Sequence, residues 1–94
     1  MKLSVEYTGQ LRTAMGRAED SLTLPEGATI AALADWLGNQ SSEVARSHLL
    51  TAAGELQPSL LIALNGTAQP ARQTANTVLQ DGDRIVLLPP IAGG

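Results

Sequence analysis

Residues 2–8, Lys2-Leu3-Ser4-Val5-Glu6-Tyr7-Thr8, alternate polar and apolar without exception. A period of two sustained over seven residues describes a strand with one buried and one wet face. Leu3, Val5 and Tyr7 fall on the core side, so the fold must supply a layer to cover them. Gly9 interrupts the pattern, and residues 10–16 are read as a loop or one short turn. Ser21-Leu22-Thr23-Leu24 alternates again, and this second strand is expected to pair antiparallel with the first.

The period then changes. After the turn at Pro25-Glu26-Gly27-Ala28, Thr29 is a good N-cap, and Ile30, Leu33, Ala34 and Leu37 fall at i, i+3, i+4 and i+7. That spacing is one apolar stripe on a helix of about ten residues, with Gly38-Asn39 expected to end it. Ser41-Ser42-Glu43 opens a weaker helical pattern reaching Leu50, and Thr51 to Pro58 reads as loop. Leu60-Leu61-Ile62-Ala63-Leu64 is a continuous apolar run stopped by Asn65-Gly66. It is read as a buried strand followed by a tight turn. Thr67 to Gln69 forms a short return strand ended by Pro70. Residues 71–78 are polar and read as irregular. Asp81-Gly82-Asp83 is a turn, Arg84 to Leu88 the last strand, and Pro89-Pro90 stops it because neither residue can donate to a ladder. Two strands, a helix, then more strands predict an α+β fold, a mixed sheet with one main helix packed on one face. This is the element order of the β-grasp, or ubiquitin-like, fold. The domain is expected to span residues 1–88, with 89–94 as an extended C-terminal tail.

Composition narrows the function. The chain has 94 residues, a formal net charge of −3, no Cys and one His. With no run of Lys or Arg and only Tyr7 and Trp36 as aromatics, it lacks both a phosphate-binding footprint and stacking platforms, so nucleic acid is not an expected partner. A disulfide framework, a thiolate metal site and a cysteine nucleophile are excluded, and His48 alone builds no metal centre. Asp81 and Asp83 flank one glycine at a strand start, which is turn chemistry rather than a carboxylate pair. Trp36 reads as the edge of the core. No segment resembles a signal peptide or membrane span, so a cytoplasmic location is expected.

The strongest functional signal is the run from Asp81 to Gly94, closing Arg84-Ile85-Val86-Leu87-Leu88-Pro89-Pro90-Ile91-Ala92-Gly93-Gly94. Glycine orders at the highest entropy cost and contributes no packing. Two of them form a slender end able to enter a narrow channel and present a bare carboxylate. Ionised at neutral pH, a carboxylate is a poor electrophile. As an acyl-adenylate it gains a leaving group, and a sulfur nucleophile then yields a thiocarboxylate. This chemistry needs no side chain from the chain itself, which suits a sequence with no nucleophile–base or metal constellation. Pro89-Pro90 favours stiff extended geometry that would hold the tail off the domain.

The Asp-Gly-Asp turn, apolar strand, Pro-Pro and Gly-Gly in sequence resemble the MoaD/ThiS family of sulfur carriers, and Leu64-Asn65-Gly66 adds to the likeness. The resemblance implies that Gly94 is the reacting residue. It implies activation by an ATP-consuming adenylating enzyme related to the ubiquitin-activating enzymes, with sulfur from a sulfurtransferase or persulfide and no cofactor bound to the chain. The Pro-Pro-Ile-Ala-Gly-Gly ending is similar to that of the small subunit of molybdopterin synthase, whose tail inserts into the large subunit. Pro89, Pro90, Ile91, Ala92 and Gly93 would then be the inserted segment of a subunit that is not itself an enzyme. Alternatives are a carrier feeding thiazole, cysteine or another thio-metabolite, a ubiquitin-like modifier joined through Gly94 to lysines, and a passive binding domain.

The last strand also suggests where a partner docks. With Arg84 facing solvent, Val86 and Leu88 face outward beside it, and Ile85 and Leu87 inward. An apolar strip on the open face continuing into the tail reads as an interface. The competing expectation is that residues 40–58 fold over it.

Overall fold

The computed structural model describes residues 1–90. Among them, five strands form one mixed sheet in the order β2-β1-β5-β3-β4. β1 (Lys2–Tyr7) pairs antiparallel with β2 (Glu19–Thr23) on one side and parallel with β5 (Arg84–Leu88) on the other. β5 pairs antiparallel with β3 (Leu61–Leu64), which pairs antiparallel with β4 (Thr67–Pro70) at the edge. First and last strands as parallel neighbours, with a helix crossing between two hairpins, define the β-grasp architecture, and the α+β expectation holds.

The helices cover one face. α1 (Gly9–Met15) joins β1 to β2, while α2 (Ile30–Gln40) and α3 (Glu43–Leu49) follow β2. α4 (Ala71–Thr74) is a single turn after β4. Ile30, Leu33, Ala34 and Leu37 of α2 are buried in one cluster with Leu3, Val5, Tyr7, Leu22, Ile62, Ile85 and Leu87 of the sheet. Each fully buried aliphatic side chain contributes about 1.5–3 kcal/mol, so a nearly aromatic-free core suffices for a domain of this size. The α2 and α3 N-caps are satisfied by side chains: Thr29 Oγ1 accepts from the Ala32 amide at 3.2 Å and Ser42 Oγ from the Ala45 amide at 3.2 Å.

Several boundaries differ from those read in the sequence. Residues 10–16 are not loop: Gly9, at φ +53°, starts α1 rather than merely ending β1, and Leu11 and Met15 bury against the core. α2 does not stop at Gly38-Asn39 but runs on to Gln40. Gly38 serves close packing instead, since a Cβ there would lie 2.9 Å from Leu50 Cδ1. β2 begins earlier, at Glu19, and residues 71–74 form a helical turn that buries Ala71 and Thr74. The run at 60–64 is buried only in part, because Leu61 is 42% exposed.

Residues 40–58 do not cover the open face of the sheet. α3 packs against α1 and α2, and Ala45, Leu49, Leu50 and Leu56 join the core. This segment thickens the helical layer, and among the described residues no helix packs on the opposite face of the sheet.

Candidate functional site

β5 lies at the centre of the sheet and carries the sequence toward the tail, so the site is built from its two ends and its outer face. At its start the two turn motifs lock together. Asn65 and Gly66 both have positive φ, +50° and +92°, as a tight hairpin turn of the I′ kind requires. The Asn65 side chain donates to Asp83 Oδ1 at 2.9 Å and accepts from the Arg84 amide at 2.9 Å. Asp83 Oδ2 accepts from the Gln80 amide at 2.8 Å, and Asp81 Oδ1 accepts from the Lys2 amide at 2.6 Å. The aspartates are thus turn ligands for backbone amides, as their spacing suggested. They fix the start of β5 against β1 and the β3–β4 turn.

At the other end β5 stops at Leu88, followed by half-buried Pro89 and exposed Pro90. A groove lined by Thr8, Gly9, Gln10, Ser59, Leu61 and Leu88 adjoins the two prolines. Ile91, Ala92, Gly93 and Gly94 lie outside the described residues.

The outer face follows from the register. Ser4 pairs with Arg84 and Glu6 with Val86, while Ala63 pairs with Val86 and Leu61 with Leu88. Ala68 and Pro70 of β4 stand opposite Ala63 and Leu61. Residues facing each other across neighbouring strands project from the same side. The open face is therefore two fields. Over β2 and β1 it presents Glu19, Ser21, Thr23, Lys2, Ser4 and Glu6. Over β5, β3 and β4 it presents Val86, Leu88, Leu61, Ala63, Ala68 and Pro70. The Arg84 guanidinium pairs with the Glu6 carboxylate at the boundary. Val86 and Leu88 are half-buried while Ile85 and Leu87 are fully buried, the alternation expected for this strand. Sequence reasoning missed Leu61, Ala63, Ala68 and Pro70, because it treated the run at 60–64 as buried on both sides.

Other ionisable groups have structural roles. The Tyr7 hydroxyl donates to Asp20 Oδ2 at 2.6 Å, and Arg17 Nε donates to the same oxygen at 2.7 Å, with the guanidinium 5.8 Å from the Tyr7 ring centre. Burial, and then the hydrogen bond to Asp20, push the Tyr7 phenol well above its usual value. Asp20 in turn strengthens the hold of Arg17 on its proton. Trp36 packs at the edge of the core, and His48 is half-buried on α3. Among the described residues no His, Cys, Asp and Glu side chains cluster as metal ligands, and no helix is long and apolar enough to cross a membrane.

The ThiS family model matches residues 5–94, nearly the whole chain. The chain belongs to the ThiS family. Structural comparison agrees on the ubiquitin-like β-grasp fold. Small archaeal modifier protein 1 of Haloferax volcanii is similar with a TM-score of 0.86 at 21% identity, covering 100% of both chains. Urm1 of Trypanosoma brucei gives 0.78 at 21% identity, over 99% of this chain and 95% of its own. The complex of subunits 1 and 2 of the molybdopterin-converting factor of Helicobacter pylori gives 0.64 at 26% identity, over 100% of both chains. No curated protein matches the chain by sequence.

Proposed function

We propose that this ThiS-family chain is a sulfur carrier acting as the small, non-catalytic subunit of a molybdopterin synthase. The Gly94 carboxylate attacks the α-phosphate of ATP on an adenylating enzyme of the ubiquitin-activating type, releasing pyrophosphate and leaving an acyl-adenylate. The outer sulfur of a sulfurtransferase persulfide then displaces AMP to give an acyl disulfide. A thiol cleaves its S–S bond and leaves as a disulfide with the sulfurtransferase, and the thiocarboxylate so released donates its sulfur to a pterin precursor within the large subunit. The observation that carries this reading is the outer face of β5. An apolar field centred on Val86 and Leu88 runs off the end of the strand directly into Pro89-Pro90. A partner seated on that field would receive the tail at its own edge. Slender Gly93-Gly94 suits a channel, and the match of the family model through residue 94 supports the end of the chain as part of the functional unit. The likeness to a molybdopterin-converting factor seen in complex with its second subunit favours the synthase pathway.

A second reading is favoured by the likeness to a protein named as a modifier. In it the same activated Gly94 is transferred to lysine amines of other proteins. The two readings separate by intact mass after incubation with an adenylating enzyme, ATP and a sulfur donor. Replacement of one oxygen by sulfur, together with co-purification of a pterin-synthase large subunit, is the expected result. Lysine-linked adducts in extract, without thiocarboxylate, would replace the carrier with the modifier. An unchanged mass and no adduct would overturn both.

A further inference from the structure

α1, α2 and α3 each begin behind a hydroxyl residue, Thr8, Thr29 and Ser42. Thr29 and Ser42 do what such residues ordinarily do and accept a hydrogen bond from the third residue along. Thr8 makes no side-chain cap bond to α1. Its hydroxyl donates instead to the Leu87 carbonyl at 2.9 Å, across the sheet. In the parallel β1–β5 ladder the Ser4 amide donates to the Asp83 carbonyl at 3.1 Å. Continued at two-residue intervals, that ladder would bring the Thr8 amide to the Leu87 carbonyl. The pairing ends at Tyr7 and Leu87, and the hydroxyl takes over. The neighbouring Gly9, at φ +53°, lies beside Pro89: a Cβ built on it would meet Pro89 Cγ at 3.6 Å, an ordinary van der Waals distance, and both residues line one groove.

Among the described residues the Thr8 bond is the last hydrogen bond between the β1 side of the domain and the chain leading to the tail. Neither Pro89 nor Pro90 has an amide hydrogen with which to extend a ladder. We propose that Thr8 is a positioning residue: its hydroxyl, bonded to the Leu87 carbonyl two residues before Pro89, fixes the direction in which the tail leaves β5. An error of direction at Leu87 is amplified through a stiff Pro-Pro segment, whereas a flexible one would absorb it. The proposal rests on the tail being the reacting segment, and it explains why a capping residue gives up its cap.

The test compares Thr8→Val, which keeps the shape and removes the hydroxyl, with Thr8→Ser, which keeps the hydroxyl. Because Thr8 makes no side-chain cap bond, neither change removes a cap from α1. In the free protein, NMR should show the orientation of the Leu87–Pro89 segment disturbed, by residual dipolar couplings, and exchange of the Leu88 amide accelerated in Thr8→Val, with both near wild type in Thr8→Ser. With the adenylating enzyme and ATP, pyrophosphate release should slow about tenfold in Thr8→Val at unchanged half-saturation, because misplacing a reacting group by an ångström costs up to about 100-fold. Thr8→Ser should restore the rate. An unchanged Leu87–Pro89 orientation in a folded Thr8→Val protein, or a loss seen equally in Thr8→Ser, overturns the proposal. So does a change in half-saturation with the turnover rate intact. If wild type itself releases no pyrophosphate, the carrier reading fails, and the NMR comparison alone decides whether Thr8 directs the tail.

Discussion

The open face of one sheet carries two surfaces of opposite character. Over β1 and β2 every outward position is polar or charged, the ordinary condition of a sheet face in water. Over β5, β3 and β4 the outward positions are Val86, Leu88, Leu61, Ala63, Ala68 and Pro70, and the helical layer covers none of them. The strands are similar in length and share one core, so the difference is not imposed by the fold. What distinguishes the apolar half is that it contains β5, and β5 leads to Pro89-Pro90. Where the chain needs only to stay in water it is polar, and where the tail emerges it is apolar.

That division is open to attack from both sides. Val86→Asp places a charge in the centre of the apolar field and should weaken adenylating-enzyme and large-subunit binding by about 2 kcal/mol or more, roughly thirtyfold, as a central interface residue does. Its thermal midpoint should move little, and calorimetric titration beside a melting curve checks both. Asp83→Ala acts at the other end of the same strand. It removes the acceptor of the Gln80 amide and the Asn65 side chain, and should cost about 1–2 kcal/mol of stability with binding unchanged. Leu61→Asp tests a position that only the structure revealed. About a tenfold weaker complex is expected if the apolar field extends across β3.

Tyr7→Phe probes the inner side beneath the polar half. The folded state holds the phenolic proton above the ordinary value of 10.0, while the unfolded chain releases it there. Stability from this group is therefore full below about pH 10 and declines as pH rises beyond it. Urea midpoints should show Tyr7→Phe weaker by about 1 kcal/mol at neutral pH. Above about pH 10 the gap should narrow, because only wild type has that proton to lose. The smallest effect is expected at Ser21→Asp, on the polar half, where stability should change by less than about 0.5 kcal/mol and binding not at all.

Much of this was legible in the sequence because the relevant patterns are local. The unbroken alternation of residues 2–8 gave β1 and its faces, and the α2 stripe gave its buried side. The turn residues Asn65, Gly66, Asp81, Gly82 and Asp83 announced the corners that hold β5. Arg84 set the phase that turns Val86 and Leu88 outward. What was hidden depended on contacts distant in sequence. Gly9 looks like a stop and is a start, because only a glycine readily takes the left-handed backbone between β1 and α1. Gly38 looks like a helix end and is a contact surface for Leu50, twelve residues on. The outer face of β3 was concealed by five apolar residues in a row, where a period of two cannot be seen. Counting back from the Asn65-Gly66 turn would have paired Ala63 with Ala68 and placed Leu61 and Ala63 on one side. The diverted hydroxyl of Thr8 had no local signal, since its partner lies 79 positions away.

The most direct measurement adds one amino acid after Gly94 and asks whether sulfur still moves. If the reactive group is the terminal carboxylate, the extended chain should melt like the parent, still bind through its apolar face, and acquire no sulfur with an adenylating enzyme, ATP and a sulfur donor. An extended chain that becomes thiolated and delivers sulfur as fast as the parent would contradict the account at its centre.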